Sequence, residues 1–158
     1  MVNSTQLLHS ILSDSWRYYP EFQKRVKEFC TKYDSDADSD ALCRFLRLSF
    51  VSDKPTAFMA VGLDGDGVVV GHLLAIVEQW FGKPVCTILQ LESEDKIPKE
   101  VWDDTMSALR TFGKVHNIEF FQLAARSEAA ARLFRRYGFQ RTRTIMKMPV
   151  EGRAVQTP

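Results

Sequence analysis

Of the many titratable side chains in this 158-residue chain, spacing singles out the few groups that could act together on a proton or a charged ligand. His72 and Glu78 lie in the run VVVGHLLAIVEQ, six residues apart. On a β-strand that even spacing puts an imidazole and a carboxylate on one face, although such a pair is commonly part of a solvated strand face. Asp34, Asp36, Asp38 and Asp40 alternate like the start of a calcium-binding loop. The sixth position is Ser39 instead of glycine and the twelfth is Phe45 instead of glutamate, so the run reads as an acidic loop. Gly65, Gly67 and Gly71 belong to a hairpin turn and the strand that leaves it, so they form no phosphate cradle. Cys30, Cys43 and Cys86 are too far apart for metal-ligand spacing and read as buried thiols in a reducing compartment. His9 and His116 lack sequence partners, and no metal site is expected.

The strongest electrostatic feature is local. Residues 126–147 hold Arg126, Arg132, Arg135, Arg136, Arg141, Arg143 and Lys147 against one acid, Glu128. That is +6 in a chain of net charge +1, so with a neutral tail residues 1–125 carry −5. Like charges reinforce one another over about 8–10 Å, so the cluster suits an anionic partner, or simply a solvated helix face. With 45% hydrophobic and 26% charged residues, the chain has the balance of a globular protein and excludes wholesale disorder. No transmembrane run or secretory leader is apparent, and the expected location is the cytoplasm.

Around these groups the sequence sets out its elements. Residues 6–12 read as a short apolar helical turn. Pro20 opens a helix with Phe22, Val26, Phe29 and Tyr33 on one stripe, and a further helix covers about 40–50. From Thr56 the period becomes that of strands: TAFMAVG, a DGDG turn, VVVGHLLAIVEQ, an FGKP turn and PVCTILQLE. Pro98 starts a helix ending near Gly113, NIEFFQLAA is a strand, and Ser127 caps a helix that Gly138 closes. FQRTRTIMKM is a final strand. The order predicts an α+β (mixed α/β) domain over 1–150, its first 50 residues helical and its core at 56–148, with 151–158 a loose tail.

The segment SEAAARLFRRYGFQRTRTIMKM at 127–148 resembles the last motif of the GNAT N-acetyltransferase superfamily. Ala130, Leu133, Gly138 and Phe139 match its pattern, Ser127 stands where asparagine is usual, and Phe134 replaces the family's tyrosine. The likeness in element order extends over about 56–148. It implies a central mixed sheet of about five to seven strands, helices on both faces, and a splayed pair of parallel strands around 86–92 and 118–124.

The resemblance also implies acetyl-CoA as co-substrate and a small-molecule or protein amine as acceptor. Pantetheine would contact Leu89 and Leu91, and the pyrophosphate would meet the loop at 96–101 through Lys96, Ile97, Lys99 and Val101. Ser127, Ala130 and Phe134 would border the cofactor from the last helix. The family's loop has glycines where Lys99 and Val101 stand, and Pro98 removes one amide. For proton transfer the candidates are Glu78 and His72 as bases and Tyr137 as the acid in place of Phe134. The rival reading is a non-catalytic domain of this fold whose Arg-rich 126–147 segment holds a protein or, less favoured, nucleic acid. No membrane contact is implied, and the oligomeric state is left open, a homodimer included.

Overall fold

Alternation in the second strand decides how the core divides. In the computed structural model, Ala57, Met59, Val61 and Leu63 of β2 (Ala57–Asp64) pack on one side, while Phe58 and Ala60 pack on the other. A strand whose successive side chains are all buried needs cover on both faces. The structure describes residues 2–7, 15–34, 37–54, 56–94, 96–142 and 148. The remaining strands are β1 (Val2–Leu7), β3 (Val69–Trp80), β4 (Lys83–Ser93) and β5 (Phe121–Leu123). They form one sheet in the order β1-β2-β3-β4-β5, antiparallel except for the parallel β4–β5 pair.

One face is covered by α1 (Tyr19–Tyr33) and α2 (Ser39–Ser49). Phe22 and Val26 supply the predicted α1 stripe and meet Leu74 and Met59, while Cys43 and Leu46 of α2 close the same cluster. Asp38 caps α2, its carboxylate accepting from the Ala41 amide at 2.9 Å. The opposite face carries α3 (Lys99–Val115) and α4 (Glu128–Arg135), whose Met106, Leu109 and Phe134 pack on Leu73, Ala75, Cys86 and Ile88. Helices on both faces of a mixed five-stranded sheet agree with the expected fold class.

Several boundaries differ from the sequence reading. Gln6 and Leu7 belong to β1, not to a helical turn: VNSTQL is poor in helix formers, and the edge of β2 offers backbone groups that a strand satisfies. The α3 helix runs past Gly113 to Val115. Gly113 is there for packing, since a Cβ at this position would lie 2.6 Å from Phe121 Cζ. The last helix ends at Arg135, and Gly138 turns the chain at φ +94°. Residues 139–142 are irregular; the rest of the expected last strand, 143–147, and the tail at 149–158 lie outside the described residues.

A buried arginine ties the two halves together. Arg25 of α1 donates to the Val69 carbonyl at 2.8 Å and to Glu94 Oε1 at 2.6 Å, at the exit from β4. The Glu94 amide in turn donates to the Val70 carbonyl at 2.9 Å. The second turn of α1 thereby fixes the start of the segment that leads into α3.

Candidate active site

Two breaks in strand pairing create the site. β4 and β5 are paired only at Cys86, Thr87 and Ile88 against Phe121, Gln122 and Leu123. Beyond that point β4 continues to Ser93 while β5 stops, so the parallel strands part. On its other side, β4 pairs Gln90 with Leu74 but Ile88 with Ala75, leaving Leu89 as an extra residue in a bulge. The bulge resets the alternation. Leu91 therefore joins Cys86 and Ile88 on the α3 side, and the sequence expectation that Leu89 and Leu91 share a face fails.

Between the free half of β4, the start of α3 and α4 lies a cleft of about 610 Å³. Its walls include Leu91, Lys96, Ile97, Lys99, Ala130, Phe134 and Tyr137, all expected from the sequence. Glu92, Ser93, Trp102, Asp103, Leu133 and Arg136 also line it and were not among the expected site residues. Leu89, Val101 and Ser127 are not among its walls. Phe134 is mostly buried, in edge contact with Phe139, so it closes the floor of the cleft and has no proton to give.

The two residues at the family's glycine positions differ: Lys99 lines the cleft and Val101 does not. Val101 packs on Val70 and Ile97 in a small cluster of its own. Lys99 reaches along the helix to Asp103, 2.7 Å away, with its side chain 81% exposed. Pro98 caps α3 without a side-chain bond, so the amides of the first turn are left without a capping group. Those amides, the helix dipole and Lys96 suit an anionic group, which fits the pyrophosphate of acetyl-CoA. The start of α4 is capped, Ser127 Oγ accepting from Ala130 N at 3.1 Å.

Tyr137 donates its hydroxyl to Asp103 Oδ1 at 3.0 Å. Partial burial, then this bond, raises its pKa above the ordinary tyrosine value, so it holds its proton firmly. The Asp103 carboxyl is held low, first by Lys99 and then by Tyr137. The three residues form a knot at the mouth of the cleft.

His72 and Glu78 do share a face, the α1 side, but their settings differ. His72 is 3% exposed, wedged edge-on between Phe22 and Phe29, with Nε2 2.9 Å from Gln90 Oε1. Its Nδ1 is buried without a hydrogen-bond partner, and desolvation, outweighing the Gln90 bond, lowers its pKa. Gln90, a polar residue in the apolar run TILQLE, also reaches Cys30 Sγ at 3.4 Å. That anomaly in hydropathy was its sequence signal. Glu78 lies farther along β3, where Thr87 donates to its carboxylate and Gln122 donates to Thr87 at 2.9 Å. Burial, with Glu78 as a second cause, pushes the Cys86 thiol up to about 12, so this cysteine stays protonated. Among the described residues no acidic, histidine or cysteine cluster could hold a metal ion, and no helix is long and apolar enough to cross a membrane.

The overall fold is shared with solved structures. A predicted acetyltransferase with acetyl-CoA from Clostridium acetobutylicum superposes with a TM-score of 0.64 at 14% identity, covering 95% of this chain and 97% of that one. The fold is that of the GNAT acetyltransferases. Glucosamine-6-phosphate N-acetyltransferase from Arabidopsis thaliana gives a TM-score of 0.61 at 12% identity, over 94% of this chain and 100% of that one. AAC(6')-Iy in complex with a bisubstrate analogue of CoA gives 0.64 at 12% identity, over 92% and 96%. No protein-family model and no curated protein sequence matches the chain. The GNAT likeness therefore rests on three-dimensional arrangement, with little retained in sequence.

Proposed function

We propose that the protein is an acetyl-CoA-dependent N-acetyltransferase that acts on a primary amine. The observation that carries this reading is the parting of β4 from β5 after three paired positions, beside a cleft of about 610 Å³. Leu91 and Ala130 border the space for the pantetheine arm, and the first-turn amides of α3 with Lys96 hold the pyrophosphate. Arg136 turns part of the basic cluster toward the same cleft, which favours phosphate recognition over a separate macromolecular surface.

Acetyl-CoA supplies a thioester whose carbonyl carbon bonds to the amine nitrogen while its C–S bond breaks, the sulfur leaving as thiolate. Glu78 takes the proton that the ammonium must lose before its lone pair is available, and Thr87 orients that carboxylate. The nitrogen's second proton ends on the thiolate, so the products are the amide, CoA and one proton held by Glu78. Tyr137 serves that last transfer only if it leaves Asp103, so this residue is a switchable donor. His72 is committed to Gln90 inside the α1 layer and takes no part in the proton transfer.

Calorimetry with acetyl-CoA on the folded chain tests the cofactor half, and thiol release with a panel of amines tests transfer. Saturable binding together with amine-dependent thiol release is the expected result. A folded sample that binds no acetyl-CoA would overturn the reading and return the Arg-rich segment to a binding role for protein or nucleic acid.

A further inference from the structure

A primary amine arrives as an ammonium ion, and the α1 side of the sheet has a place suited to one. Glu78 on β3, Thr87 on β4 and Gln122 on β5 are joined side chain to side chain across three strands. Thr87 and Gln122 are direct partners one position before β4 and β5 part, so this row crosses the sheet at the root of the split. The cofactor cleft lies on the opposite face, against α3 and α4. Thr87 spends its one proton on Glu78, which leaves the carboxylate with lone pairs for a further donor.

Next to this row stands an aromatic pair. Trp80 shares a face with Glu78, and Phe120 with Gln122, by strand alternation. The two rings meet edge to face, with centroids 6.0 Å apart and planes at 88°, and Phe120 remains 41% exposed. Lys83, the cross-strand partner of Trp80, ends on Glu119 at 3.3 Å, so those two rim charges cancel. Among the described residues, Glu78 is the remaining charge beside the pair.

We propose that this face is the acceptor subsite and selects a singly charged primary ammonium on an apolar, aromatic body, the ammonium on Glu78 and the body against Trp80 and Phe120. The assignment rests on the acetyl-transfer reading. One carboxylate neutralises one positive charge, and a polyamine would have to leave a second charge partly desolvated. An aminosugar would have to desolvate several hydroxyls against two largely apolar rings, whereas an aryl group gains edge and face contacts there.

The test is an NMR titration of the full chain with 2-phenylethylamine in the absence of acetyl-CoA, following the Trp80 indole N–H and the Thr87 amide. Saturable shifts at these positions are expected. 2-Phenylethanol, which lacks the charge, and 1,4-diaminobutane, which lacks the ring, should each bind about tenfold or more weakly, and Glu78→Gln should weaken 2-phenylethylamine similarly. Phe120→Leu, a mild change at an exposed position, should weaken 2-phenylethylamine and leave methylamine as before. Equal binding of the alcohol, undiminished binding by Glu78→Gln, or a preference for 1,4-diaminobutane or glucosamine would overturn the proposal. A separate acetyl-CoA titration keeps the two readings apart. Amine selectivity without acetyl-CoA binding sinks acetyl transfer alone, and acetyl-CoA binding without amine selectivity sinks this subsite alone.

Discussion

Replacing Arg25 with methionine removes the buried guanidinium while keeping an unbranched, apolar side chain of similar reach. Two hydrogen bonds and a longer ion pair to Glu21 at 3.6 Å are lost, and the two bonds are unequal. The Val69 carbonyl belongs to a buried residue and is left without this donor, which costs about 1–3 kcal/mol. Glu94 is 63% exposed and recovers water, so the loss of its ion pair costs less than about 1 kcal/mol. Methionine also avoids desolvating a charge, which offsets part of both. A net loss of about 1–3 kcal/mol follows, which for a chain of this length lowers the melting temperature by roughly 2–12 °C. Glu94→Gln should cost under about 1 kcal/mol, because the exposed partner is the cheap one. Urea unfolding of both variants, with unchanged slope, measures the pair of values. Equal losses in the two variants would refute the asymmetry, and an Arg25→Met loss near zero would mean that desolvation cancels both bonds.

Three further outcomes follow from the same contacts. Ser127→Ala should destabilise by about 1 kcal/mol through loss of the α4 cap, seen in urea midpoints, and unchanged stability would remove the cap from the account. Burial lowers the pKa of His72, so in acid the unfolded chain takes up a proton below about pH 6.5 that the folded chain refuses. Stability should therefore fall as pH drops through that region, and His72→Gln should flatten the trend; an unchanged slope would clear His72. Because Lys99 is held by Asp103, Lys96→Ala should weaken acetyl-CoA binding more than Lys99→Ala, each by less than about 1 kcal/mol and less again in high salt. Calorimetry at two salt concentrations reads both, and a larger effect of Lys99 would reverse the assignment.

The elements that build the site were legible where local chemistry dominates. Apolar β-prone runs between turn signals located β2, β3 and β4, and the Ser127 and Gly138 signals bracketed α4 because capping and positive φ are decided within a few residues. The bulge at Leu89 was not legible, since it depends on how β4 aligns with β3 and no residue type there demands it. β1 was missed because it gains stability only from the edge of β2. Glu78 and His72 shared a face as their spacing required, but their opposite fates, a carboxylate held by Thr87 and an imidazole sealed under α1, depend on where α1 ends. Likewise Arg25 has the position of an ordinary helix-surface arginine until Glu94, 69 residues away, comes beside it.

The short β4–β5 ladder has a consequence for exchange with solvent. From Leu89 to Ser93 β4 is hydrogen-bonded as a strand only on its β3 side, so alternate amides on its free edge lack the protection that a neighbouring strand confers. A ligand that lies along this edge with a peptide-like arm completes the ladder in the manner of an added strand. Those few amides should exchange with deuterium quickly in the empty protein and slowly in the loaded one, while their neighbours facing β3 stay unchanged. The alternation itself would then trace the path of the ligand, residue by residue, along the split.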